Sequence, residues 1–152
     1  MEIRDVMTAH PGACNLEQSA NDAAKIMWER DCGAVPVTDD AGAVRGIVTD
    51  RDVCMAAYFQ GRALSDIRLA DIMTAQPATC TDDIDLAAAE RLMRERQIRR
   101  LPIVDRRGAL VGMLSLADVV RSAKQTGSLV TRPGEISDLV QTVAAVSEPR
   151  RL

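Results

Sequence analysis

Met7-Thr8-Ala9 recurs as Met73-Thr74-Ala75, and the same displacement of 66 positions carries Pro11 to Pro77, Cys14 to Cys80, Met27 to Met93 and Glu29-Arg30 to Glu95-Arg96. It also carries Pro36 to Pro102, Asp39 to Asp105, Gly42-Ala43 to Gly108-Ala109, Gly46 to Gly112 and Asp52-Val53 to Asp118-Val119, with no gap anywhere. Chance does not produce such a register. The chain is two copies of one unit, residues 1–61 and 68–125, followed by a tail over 126–152.

Each copy alternates strand and helix signals. Ala13-Cys14 and Thr79-Cys80 read as short strands. Ser19 with Asp22 three residues on is a capping box that opens a helix through about Arg30, its apolar face carrying Ala23, Ile26 and Met27. In the second copy Asp85 caps a helix bearing Leu86, Ala89, Leu92 and Met93. A hairpin follows, Ala34 to Thr38 and Val44 to Val48 around Asp39-Asp40-Ala41-Gly42, and again Leu101 to Val104 and Leu110 to Leu114 around Asp105-Arg106-Arg107-Gly108. The glycine at each turn's end supplies the positive φ that such short loops require. A closing helix ends near Gly61 in one copy and before Gly127 in the other.

The order is therefore β-α-β-β-α, twice, an α/β (α+β) fold. About 60 residues make a marginal core, so the two copies are expected to pack sheet against sheet with pseudo-twofold symmetry. That packing would turn the two helix-opening turns towards a shared cleft. In the tail, Ile136, Leu139, Val140 and Val143 follow helical spacing after Pro133-Gly134, which predicts a short amphipathic helix covering the module or a neighbour, with a frayed end over Ser147 to Leu152.

Composition removes several function classes. A formal charge of −3 with no basic run argues against broad nucleic-acid affinity, and the three aromatics, Trp28, Tyr58 and Phe59, are too few for base stacking. No apolar run approaches a membrane span, and Met-Glu-Ile-Arg-Asp is not a signal peptide, so the cytoplasm is the expected compartment. Cys14, Cys32, Cys54 and Cys80 form no CxxC pair, and the single histidine, His10, cannot complete a zinc site. Buried small thiols in a reducing compartment and no metal are expected. Met7, Met27, Met73 and Met93 read as core fillers. No nucleophile elbow, triad or Gly-Lys-Ser/Thr phosphate loop is present, which argues against an enzyme.

What chemistry remains sits at the start of the closing helices. In Gly46-Ile47-Val48-Thr49-Asp50-Arg51-Asp52 a buried strand runs into a helix, and Thr49 and Asp52 stand three residues apart across its first turn, beside backbone amides that favour an anion. The segment offers an anion seat, a hydroxyl and a carboxylate able to accept two hydrogen bonds from a diol, the polar outline of a nucleoside phosphate. Gly112 to Asp118 repeats it with Ser115 and Asp118. The competing reading is plain helix capping, for which Thr, Ser and Asp are favoured in any case.

Taken together, Asp-Val-Met-Thr (5–8), Ala-Val-Pro-Val-Thr-Asp (34–39) and Gly-Ile-Val-Thr-Asp-Arg-Asp (46–52) resemble a CBS domain, named after cystathionine β-synthase. Asp71-Ile72-Met73-Thr74, Leu101-Pro102-Ile103-Val104-Asp105 and Gly112 to Asp118 resemble a second. The two look like a CBS pair, or Bateman module, over about 120 residues, leaving only the tail outside. That resemblance implies adenosine-containing ligands (AMP, ADP or ATP, with S-adenosylmethionine or NAD as further members) in clefts between the repeats. It implies that Asp52 or Asp118 holds ribose hydroxyls, that Thr49 or Ser115 meets phosphate, and that Val35-Pro36 or Leu101-Pro102 flanks the adenine. Arg99-Arg100, standing where the first copy has Gly33-Ala34, resembles phosphate-contacting residues, and Asp50 and Arg51 join the candidate set.

The expected protein is a non-catalytic regulatory module that binds an adenine nucleotide, needs no cofactor, pairs as a homodimer through its helices and signals to an unnamed target protein. An interaction scaffold with vestigial pockets is the alternative. An enzyme carrying this module would need a catalytic domain that a 27-residue tail cannot form.

Overall fold

The computed structural model describes residues 1–125 and 133–147. In chain order the elements are β1 (Thr8–Ala9), β2 (Cys14–Asn15), α1 (Ala20–Glu29), β3 (Ala34–Thr38), β4 (Val44–Thr49), α2 (Asp50–Gln60), α3 (Leu69–Ile72), β5 (Thr74–Ala75), β6 (Cys80–Thr81), α4 (Leu86–Arg96), β7 (Arg100–Val104), β8 (Leu110–Ser115), α5 (Leu116–Gln125) and α6 (Pro133–Ser147). Single 3-10 turns stand at Ile3–Asp5 and Leu64–Asp66. The strands form two four-stranded sheets, β2-β3-β4-β5 and β6-β7-β8-β1.

Local chemistry explains the boundaries. At α1, the amide and hydroxyl of Ser19 both donate to Asp22 Oδ2 at 2.8 Å, and the Asp22 amide donates back to Ser19 Oγ. Asp85 Oδ1 accepts from the Ala88 amide at 2.7 Å and opens α4. The two hairpin turns are built alike. Asp39 Oδ1 accepts from the amides of Ala41 and Ala43, and Asp105 Oδ1 from those of Arg107 and Ala109, while Gly42 and Gly108 close the turns at φ 80° and 83°. These bonds, the Ala43 amide foremost, hold the Asp39 carboxyl below the usual carboxylate range. Gly61 ends α2 in the left-handed region; the expected stop at Gly127 lies outside the described residues.

The compact units are not the sequence repeats. One unit joins Met1–Ala9 and Ala78–Ile103 to the segment from Gly112 onward; the other joins His10–Pro77 to Val104–Val111. The reason is an exchange of short strands between the two copies. The Met-Thr-Ala segment of the first copy, as β1, pairs antiparallel with β8 of the second (Thr8 with Met113, Ala9 with Gly112), and that of the second copy, as β5, pairs with β4 of the first (Thr74 with Ile47, Ala75 with Gly46).

The first-repeat unit buries Cys14, Ala20, Ala23, Val35, Val37, Val48, Val53, Ala56, Ile67 and Leu69 around its sheet. The second-repeat unit buries Ile3, Ala89, Met93, Leu101, Ile103, Leu114 and Val119. Here α6 lies against α4 and α5, burying Leu139, Thr142 and Val146. The tail helix predicted from Ile136, Leu139, Val140 and Val143 thus covers its own module through Leu139, whereas Val140 faces outward at 59% exposure; of the expected frayed end, Ser147 to Leu152, Ser147 closes α6 and the rest lies outside the described residues.

Candidate functional site

Both Thr49-Asp52 and Ser115-Asp118 sit where a β-hairpin strand hands over to its helix, and in both the hydroxyl and carboxylate face each other. Thr49 donates its amide and its Oγ1 to Asp52 Oδ2, each at 2.8 Å, and accepts the Asp52 amide at 3.2 Å. Ser115 does the same with Asp118, at 2.8 Å from the amide, 2.6 Å from Oγ, and 3.2 Å in return. The capping reading is thereby satisfied twice, using one carboxylate oxygen in each case and leaving the other for further contacts.

The two sites then diverge, and the cause is one residue. In α2 the Asp50 amide donates to Gly33 O, the Arg51 amide to Asp50 Oδ1 and the Asp52 amide to Thr49 Oγ1. Every amide that could seat an anion is engaged. In α5 the position of Asp50 is taken by Leu116, whose amide bonds to Arg99 O, and among the described residues nothing bonds the Ala117 amide. A helix N-terminus with a free amide retains its preference for negative charge.

Asp118 is 7% exposed, and its Oδ1 receives the Arg121 guanidinium one turn on. It opens on a cavity of about 390 Å³ lined by Met1, Asp5, Val6, Arg121, Ser122 and Gln125, all in the second-repeat unit. Ser122 Oγ lies 3.0 Å from Met1 Sδ at its wall. Sequence reading missed Arg121, although its spacing of three from Asp118 puts both on one helical face. It also missed the N-terminal residues, which reach this cavity only through the exchange of β1.

The other predicted residues are distributed as follows. Val35, Pro36, Leu101 and Pro102 are buried in β3 and β7. Arg51 is exposed on α2. Asp50 borders an apolar groove between α1 and α2. Arg99 donates its Nε to Val146 O of α6 at 3.0 Å, so part of its donor capacity is committed. Arg100 begins β7, and among the described residues its guanidinium makes no hydrogen bond.

Of the four thiols expected to be buried, Cys14 is buried and Cys80 half-buried, while Cys32 and Cys54 are exposed. Burial, with the Asp22 charge adding to it, pushes the Cys14 thiol up to about 11, and burial does the same for Cys80. Among the described residues no group of three His, Cys, Asp or Glu could hold a metal ion, and no helix is long and apolar enough to cross a membrane.

Comparison with known proteins finds the CBS-domain family matching residues 3–58 and 69–124. The CBS domain-containing protein YhcV of Bacillus subtilis (strain 168) is 33% identical over 132 residues, which cover 85% of this chain and 92% of YhcV. The crystal structure of CBSX2 in complex with AMP superimposes with a TM-score of 0.71 at 31% identity, covering 83% of this chain and 98% of that one. A homoserine O-acetyltransferase of Methanococcoides burtonii is 32% identical over 119 residues, 78% of this chain but 23% of the enzyme. Against three other curated relatives the chain spans 54–58% of their length.

Proposed function

Since the chain belongs to the CBS-domain family and carries two of its domains in tandem, we propose that it is a non-catalytic regulatory module that binds an adenosine-containing ligand of the AMP, ADP or ATP class. The observation that carries the proposal is the head of α5. Ser115 and Asp118 stand there beside a free backbone amide and an open polar cavity. Asp118 accepts a ribose hydroxyl at the one lone-pair site that its two capping bonds and Arg121 leave on the carboxylate. Ser115, the Ala117 amide and Arg100 receive phosphate. The AMP bound by CBSX2, similar over nearly its whole length, supports this ligand class.

The head of α2 is the weaker seat in this reading, because Asp50 supplies both a negative charge and a hydrogen bond where phosphate would sit. Ligand binding biases one arrangement of the protein over another by its differential affinity, and a target protein reads that bias. Two copies pair through their helices, and free thiols at all four cysteines suit action in the cytosol.

Calorimetric titration with AMP, ADP, ATP, NAD and S-adenosylmethionine tests the proposal. At least one should bind tighter than about 1 mM, or roughly −4 kcal/mol. Asp118→Asn, which keeps the shape of the cap, should abolish binding with the circular dichroism spectrum unchanged, whereas Asp52→Asn should weaken it little. If none of the five binds, nucleotide sensing is wrong and the scaffold reading takes its place.

A further inference from the structure

The heads of α2 and α5 also differ one turn further into each helix. The 66-residue displacement that takes Asp52 to Asp118 takes Met55 to Arg121. In both repeats Oδ2 of the aspartate accepts the amide and the hydroxyl of the capping residue, which fills the two lone pairs of that oxygen. At Oδ1 the two repeats part. Among the described residues nothing bonds Oδ1 of Asp52, whereas the Arg121 guanidinium donates to Oδ1 of Asp118.

An adenosine ribose presents two adjacent hydroxyls, and a carboxylate oxygen with both lone pairs open can accept from the two of them. Oδ1 of Asp52 has that capacity, since Met55 carries no N–H or O–H to donate. Oδ1 of Asp118 has half of it. The second hydroxyl would meet the guanidinium instead, and the Arg121 side chain is 65% exposed, so a bond there replaces one to water and adds little. Asp118 itself is buried and fixed by its cap, so it cannot turn to offer another lone pair.

We infer that Arg121 is a specificity-determining residue of the second-repeat site: by holding Oδ1 of Asp118 it makes the site read one hydroxyl of a ribose and leaves it indifferent to the other. This role rests on the proposed binding of an adenosine-containing ligand at Asp118 and deepens it. The ligand class widens accordingly, to adenine nucleotides that lack one of the two ribose hydroxyls as well as those that keep both.

Calorimetric titration of the full chain with AMP, 2′-deoxy-AMP and 3′-deoxy-AMP tests this. Loss of one hydroxyl should weaken binding to the wild type by roughly ten-fold, the scale of one hydrogen bond to a charged acceptor, and loss of the other by less than about three-fold. Arg121→Met, which copies the first repeat, should become sensitive to both losses. Arg121→Lys, which keeps a cation within reach of Oδ1, should keep the one-sided pattern. The ratio between ligands is the readout, because Arg121 is the cationic side chain on a wall shared with Asp5, and its removal changes the absolute affinity for any phosphate. A wild type equally sensitive or equally indifferent to both losses, or Arg121→Met with the wild-type pattern, overturns the role of Arg121 while leaving nucleotide binding in place. A wild type that takes none of the three ligands overturns it too, and titration with ADP, ATP, NAD and S-adenosylmethionine then reads the ligand proposal separately.

Discussion

Gly46 and Gly112 look like ordinary strand residues until the exchanged strands are placed on them. A Cβ at Gly112 would meet Met7 Cγ at 3.1 Å and Cε at 3.0 Å with Sδ closer still; one at Gly46 would meet Met73 Cγ at 2.9 Å and Cβ at 3.2 Å, again with Sδ closer. Neither methionine can simply swing its tip aside, since the contact runs along the side chain. Gly112→Ala should therefore destabilise the protein by about 1–3 kcal/mol through overpacking, measured by urea denaturation. Met7→Ala in the same chain should recover part of that loss, and the double-mutant cycle reports the coupling. The recurrence of both glycines and both methionines was plain in the sequence, but their mutual contact was not: a 66-residue repeat says that two positions are equivalent, not that Met7 of one copy rests on Gly112 of the other.

The helices and hairpins were legible because their signals are local. Ser19-Asp22, Asp85, Gly42, Gly108 and Gly61 each satisfy or shape the backbone within four residues, and each acts as its residue type predicts. Removing the α1 cap by Ser19→Ala should cost about 1 kcal/mol. Its partner Asp22 adds a pH signature. Bonds from Ser19, backbone amide first, hold the Asp22 carboxyl below its ordinary value of 3.8. Its stabilisation is complete above that value and is lost as pH falls through the lowered one, when the folded carboxylate takes up its proton. The stability gap between wild type and Asp22→Asn should accordingly narrow on acidification, as followed by thermal melts from pH 7 downwards. The two-residue strands β1 and β5 escaped the sequence reading for the opposite reason: their partners lie far along the chain, and two residues carry no period.

At the scale of the whole molecule, the exchange makes each unit depend on a segment remote in sequence. Ile3 is fully buried in the second-repeat unit, and the Ile3 amide bonds to Ile84 O. Deleting residues 1–9 should therefore loosen β8 rather than the first-repeat hairpin, with amide hydrogen exchange rising at 110–115 more than at 34–48. Uniform loosening, or loss confined to the first repeat, would contradict this. The candidate site inherits the same dependence, since Met1, Asp5 and Val6 line the cavity at Asp118.

The sequence alone determined that there are two copies of a β-α-β-β-α unit, where each helix and turn begins, and that Thr49-Asp52 and Ser115-Asp118 are paired groups of one kind, because all of these follow from short-range hydrogen bonding and an exact internal register. The tertiary structure alone decided which copy each Met-Thr-Ala strand joins, and that α6 covers α4 and draws on Arg99. Those outcomes depend on contacts between residues tens of positions apart, and they are resolved only when side chains compete for the same space and the same donors.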